Sequence, residues 1–186
     1  MIGNTSELEI FLTKTIEQSI TRHQLEISEP ARAYVTGMLM RFAGDFGLYQ
    51  DNQENWLEPI TFQYQRLTEA TSKLQRTQLQ QDLGDHCLFL VGYFYDFVQR
   101  SGQGMVQYHL QMGSNAYQQI GKKPFVEVGQ KFNELYLVIG DLHLPQLDEK
   151  RILKIYGHWE KTSDKYYASL LLGKGIVPKK IRKDTN

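Results

Sequence analysis

The chain has a single cysteine, Cys87, in 186 residues. An intramolecular disulfide is therefore excluded, and so is a zinc site built on paired thiolates. Five prolines and 15 glycines rule out a collagen-like or low-complexity chain. No apolar run approaches the roughly 20 residues of a membrane span; the longest apolar-aromatic stretch is Cys87–Tyr95. Net charge is also absent, with 21 Lys and Arg against 21 Asp and Glu, which argues against nucleic acid as a partner of the whole surface. Glu7 and Glu9 stand where a secretory leader would need basic residues before an apolar run. Cytoplasmic residence is the resulting expectation.

Diagnostic motifs are missing too. None of the five histidines forms a His-x-x-x-His, Glu-x-x-His or His-Asp pairing. The absence of Glu-x-x-His argues against the usual di-iron carboxylate bundle. Gly102-x-Gly104 lacks the third glycine of a dinucleotide loop, and Gly173-Lys174-Gly175 lacks a phosphate-loop frame. No Gly-x-Ser-x-Gly elbow occurs. The residues alone name no cofactor and leave open whether the protein is an enzyme.

What is present is ordinary globular composition, 41% hydrophobic and 23% charged, with a hidden charge gradient. Residues 1–93 carry 7 basic and 12 acidic groups; residues 94–186 carry 14 basic and 9 acidic. Such a gradient can steer self-association.

Apolar residues recur at helical spacing along nearly the whole chain. Leu8, Leu12, Ile16 and Ile20 outline a first helix starting after Thr5 or Ser6. Ser28-Glu29-Pro30 reads as an N-cap with proline in the first turn of a second helix, which Gly44 and Gly47 close. Residues 48–59 read as a connection in which Trp56 anchors the loop to the core. Leu79, Leu83, Cys87, Leu90, Phe94 and Phe97 follow at spacings of 4, 4, 3, 4 and 3, one continuous helical face with a kink expected at Gly84. Residues 87–98 are apolar nearly all round, as in a helix surrounded by others; a buried strand is the alternative, since Val, Phe and Tyr also favour sheets. Ser101–Gly104 marks a turn, and helices are expected from Val106 to Gly121, from Phe125 to Gly140, and from Asp148 to Gly173 or Gly175.

The expected fold is all-α. Six to seven helices would form a bundle or orthogonal helical array with a central apolar helix around residues 86–99. The expected organisation is one helical domain over 1–173 and a basic tail over 174–186 containing Lys174, Lys179, Lys180, Arg182 and Lys183. That tail could attract phosphate or anionic lipid, but a solvated chain end is the favoured reading.

Cys87 lies inside Cys87-Leu88-Phe89-Leu90-Val91 and reads as a buried thiol more than a nucleophile. Asp85-His86 stands at the entrance to that segment. Its simplest role is capping and one hydrogen bond at the core edge. A functional role would have Asp85 fix the tautomer of a histidine such as His109, freeing the imidazole to bind a ligand or move a proton. Asp85, His86 and His109 are thus the candidate catalytic residues. A metal alternative gathers Asp85, His109, Asp141 and His143, with His86 nearby. Tyr93, Tyr95, Tyr108, Tyr117 and Tyr136 either line a pocket or straddle the core boundary.

Gly84-Asp85-x-x-Leu88-Phe89-x-x-Gly92-x-Phe94, followed by Tyr108-x-x-x-Met112-Gly113-x-x-Ala116-Tyr117, resembles an uncharacterised bacterial family of helical proteins. The likeness spans roughly residues 80–120. It implies structural roles for Gly84, Asp85, Gly92 and Gly113, and brings no activity, substrate or cofactor. Two functions are then in view. One is a helical interaction or regulatory module that self-associates as a homodimer or meets a protein partner. The other is a small-ligand-binding or metal-dependent enzyme with its pocket near Asp85, His86 and His109.

Overall fold

The computed structural model describes residues 5–48 and 59–179, with side chains for 7–43 and 59–179. Trp56, Lys180, Arg182 and Lys183 lie outside the described residues, so the loop anchor and most of the basic tail do too.

Among the described residues the chain is all-α, with ten α-helices, one short 3-10 helix and no strand. They are α1 (Thr5–Arg22), α2 (Glu29–Leu48), α3 (Ile60–Glu69), α4 (Lys73–Tyr93), α5 (Tyr95–Ser101) and α6 (Met105–Ile120). Then come α7 (Phe125–Gln130), α8 (Phe132–Gly140), the 3-10 turn Asp141–Gln146, α9 (Glu149–Thr162) and α10 (Lys165–Gly173). No helix of the described residues is long and apolar enough to cross a membrane.

The helix count exceeds the expected six or seven because several periodic stretches are broken without glycine or proline. α3 and α4 are divided at Ala70–Ser72, where the Ser72 side chain accepts the Gln75 N–H at 3.1 Å and caps α4. The expected central helix ends at Phe94, whose backbone (φ −108°, ψ 36°) leaves the helical region before α5 starts. Lys131 separates α7 from α8 in the same way. The expected final helix turns at Ser163, with φ 56°, and Asp164 caps α10 by accepting the Tyr166 N–H at 2.9 Å. Conversely, α2 runs through Gly44 and Gly47, and α4 is helical straight through Gly84. Gly121 does end α6, in the left-handed conformation that a helix terminus favours.

Every residue from Leu83 to Gly92 is buried, and this half of α4 lies against α6 and α8. The segment is helix, not the alternative strand. Cys87, Leu88 and Val91 are fully enclosed, and burial pushes the Cys87 thiol far up, so the sulfur behaves as a small apolar group. α6 in turn carries α7, while α1 packs on α2 and α8, and α10 on α9 and α8.

Two glycines set how closely α4 and α6 approach. A Cβ at Gly84 would stand 2.8 Å from the Tyr117 ring. One at Gly113 would meet Phe132 and come within 2.7 Å of the Cys87 Cβ. Ala is normally worth about 1 kcal/mol over Gly inside a helix, but overpacking a filled core costs about 1–3 kcal/mol. Overpacking wins at both positions. Gly37 in α2 is the contrasting case, since nothing lies within 4 Å of its missing Cβ. Urea unfolding should therefore give opposite signs: Gly84→Ala lowers stability by up to about 2 kcal/mol, whereas Gly37→Ala raises it by up to about 1 kcal/mol. Equal gains at both positions would contradict this packing.

Candidate functional site

Asp85 follows Gly84 on α4 and is buried. Tyr34 and Arg41 stand seven residues apart on α2, the spacing that returns a helix to the same face. Tyr117 comes from α6, its ring seated where Gly84 has no Cβ. Asp85 Oδ1 accepts the hydroxyls of both tyrosines, that of Tyr117 at 2.5 Å, and Oδ2 accepts Arg41 Nη2 at 2.8 Å. The two rings meet edge-on with centroids 5.9 Å apart. Arg41 is half exposed, so the ion pair opens to water on one side only.

The electrostatics follow from that burial. Desolvation pushes the Asp85 carboxyl above the usual carboxylate range, opposed by the Tyr117 and Tyr34 hydroxyls and by Arg41. Burial and the charge of Asp85 drive both phenols well above their ordinary value. Both tyrosines therefore stay protonated as donors, and both Asp85 oxygens are engaged. The arrangement joins three helices and offers no ready general base.

Asp85 thus takes Tyr34, Tyr117 and Arg41 as partners, and the expected partnership with His109 is not formed. His109 lies eight residues before Tyr117 on α6, about 12 Å along the axis at 1.5 Å per residue. Its Nδ1 donates to the Met105 carbonyl at 2.7 Å, and burial lowers its pKa, which fixes a neutral ring. His86 is buried on α4, pointing about 100° away from Asp85 as a helical neighbour must.

Asp141 and His143 also part company. His143 Nε2 pairs with the Tyr93 carbonyl at 2.8 Å, and its ring lies 4.4 Å from that of Tyr93. Asp141 Oδ2 instead gathers the Ser19 hydroxyl, Arg22 and His23, the last at 2.9 Å. Among the described residues no group of three His, Cys, Asp or Glu is placed to hold a metal ion. The alternative set Asp85, His109, Asp141 and His143 is not brought together, because each side chain is engaged by other partners: Tyr34, Tyr117 and Arg41, the Met105 carbonyl, Ser19 with Arg22 and His23, and the Tyr93 carbonyl.

Ser169 completes the Asp141 cluster, with its hydroxyl 3.3 Å from His23 Nε2. The Asp141–His23–Ser169 sequence suggests a nucleophilic triad, but both contacts fall on the same ring nitrogen. One nitrogen cannot hold a proton for the carboxylate and accept one from the serine. A triad needs the two nitrogens to divide those tasks.

Sequence reasoning missed Tyr34, Arg41, Ser19, Arg22 and His23. The Tyr34–Met38–Arg41 stripe on α2 was the readable signal, since a tyrosine and an arginine on an otherwise apolar face need a buried acceptor. No protein-family model, curated protein or solved structure matches the chain.

A pH dependence follows from Asp85. Its folded carboxyl holds the proton more tightly than the unfolded one, so its contribution is fully present below the unfolded value. That contribution is lost as pH rises through the raised folded value. Wild type should lose stability relative to Asp85→Asn as pH rises above the ordinary carboxyl value of about 4 in urea unfolding. Parallel curves for the two proteins would contradict the assigned direction.

Proposed function

We propose that the protein is a helical interaction module that pairs with a second copy of itself, the ten α-helices of its described residues forming an orthogonal array around α4. Two apolar surfaces of opposite charge carry the reading. On α1, Ile10 is 64% and Phe11 46% exposed, beside the exposed carboxylates of Glu7 and Glu9. At the other end of the chain, Leu153 is 74% and Val177 66% exposed, in a region bearing Lys150, Lys174 and Lys179. The Tyr156 hydroxyl donates to the Lys179 carbonyl at 2.9 Å, which holds this last segment on α9.

Single exposed apolar residues are common on any protein. Here one exposed pair is flanked by acidic residues and the other by basic ones. In a two-fold dimer each contact occurs twice, so the acidic face of one copy meets the basic face of the other in both directions. The gradient between the two halves of the chain acts in the same sense, steering the copies before contact. An enzyme at Asp85, His86 and His109 is the weaker reading, because Asp85 and His109 already have internal partners.

Sedimentation velocity on the full chain tests this. The 21.7 kDa chain should run as a dimer at micromolar concentration. Leu153→Glu and Glu9→Lys should each shift it to monomer, and Lys179→Glu added to Glu9→Lys should restore part of the dimer. A wild-type chain that stays monomeric up to about 100 µM would remove the proposal, because a weaker dimer would be worth less than about 5–6 kcal/mol.

A further inference from the structure

We propose that the cleft between α5, α9 and the 3-10 turn is a binding site for a small planar organic acid, one or two rings carrying a carboxylate or sulfonate. The cleft holds about 320 Å³. That is the small end of ligand pockets, enough for a ring system and too little for a dinucleotide.

Its wall is aromatic. Tyr93, Phe94 and Phe97 line it, and Phe97 is half exposed although it occupies the first turn of α5. Nothing in the helix requires a phenyl ring there, whereas a flat ligand would cover it. Tyr95 and Tyr166, buried residues of the same lining, stack with centroids 4.0 Å apart, so the surface rests on close ring packing.

Its rim is cationic. Arg100 comes from α5, and Arg151 and Lys154 stand one turn apart on α9, on the same helix face. Arg100 Nε donates to the Asp96 carbonyl at 3.0 Å, and Arg151 Nη1 to the Gln146 carbonyl at 3.2 Å. Each guanidinium is thereby held in place with further donors to offer. Among the described residues the ion pairs involve Arg22, His23 and Arg41, and none involves these three cations. Asp96 is the carboxylate in the lining, and it accepts the Tyr167 hydroxyl at 2.7 Å. The lining itself carries three positive groups against one negative, and the adjoining Asp164 and Asp148 are taken as helix caps by the Tyr166 and Arg151 N–H groups.

Aromatic wall and cationic rim together fit one ligand chemistry. A ring stacks on Phe97 and its neighbours, and its acid group takes the paired donors that a guanidinium presents to planar oxyanions. A neutral ring would leave the cations unused, and a free inorganic anion would leave the apolar wall wet.

Two dyes separate these contributions. 1-Anilinonaphthalene-8-sulfonate carries the rings and the charge; N-phenyl-1-naphthylamine carries the rings alone. With the full-length protein, fluorescence titration should show saturable one-to-one binding of the sulfonate. Arg151→Gln combined with Lys154→Gln should weaken it about tenfold, which is the combined worth of two exposed charge contacts. The same pair should leave the neutral dye within about twofold, and Phe97→Ala should weaken both dyes. All three positions are exposed, so the variants should keep the wild-type unfolding midpoint. Sulfonate binding that ignores the loss of the two cations, binds at many sites, or fails to saturate would overturn the proposal. Leu153, a residue of the proposed dimer contact, stands between Arg151 and Lys154 on α9, so the variants are also run by sedimentation velocity, which separates loss of the site from loss of the dimer.

Discussion

The carboxylate of Asp85, taking two tyrosine hydroxyls and an arginine, is the interaction on which the arrangement of α2, α4 and α6 depends. A buried carboxylate is costly unless its oxygens are matched, and its partners are correspondingly hard to remove singly. Because Tyr34 and Arg41 come from α2 and Tyr117 from α6, the match exists only when both helices sit correctly against α4. Apolar packing is tolerant of small slips. This network is not.

The surrounding packing is built to admit it. Gly84 clears the space for the Tyr117 ring, and Gly113 lets α6 settle against Cys87 and Phe132. The same device recurs elsewhere at helix junctions. Asp141 ties α1 to the 3-10 turn through Ser19, Arg22 and His23, and Asp164 receives the Tyr95 hydroxyl to join α5 to the start of α10. In each case a carboxylate fixes the crossing of helices that apolar contact alone would leave loosely defined. Asp85, Asp141 and Asp164 are therefore taken up by architecture, which directs functional attention to the surface.

Much of the fold was legible in the sequence, and the limits have physical causes. Apolar periodicity and glycine or serine boundaries located α1, the start of α2 and the whole of α6. The breaks at Phe94, Lys131 and Ser163 were not legible, because the apolar face continues across each one and no glycine or proline marks it. At Ser163 the turn is a left-handed residue that the chain tolerates with Asp164 capping the next helix. At the candidate site the sequence pointed to Asp85 but toward the wrong neighbours. Adjacent His86 drew attention because it is adjacent, whereas Tyr34 lies 51 positions away and Tyr117 32 positions away. Such partners are specified by helix packing, which a single sequence does not display. The cleft at α5 and α9 was hidden for the same reason, since Phe97, Arg100, Arg151 and Lys154 meet only after two helices turn toward each other.

A double-mutant cycle measures the Asp85 network itself. Tyr34→Phe and Tyr117→Phe are each made in wild type and in Asp85→Ala, with stability read from urea unfolding. If the carboxylate organises both hydroxyls, each substitution costs about 1–2 kcal/mol in wild type and nothing, or less than nothing, once Asp85 is gone. Costs that add within about 0.3 kcal/mol in both backgrounds would show that the tyrosines act independently of Asp85 and would contradict its organising role.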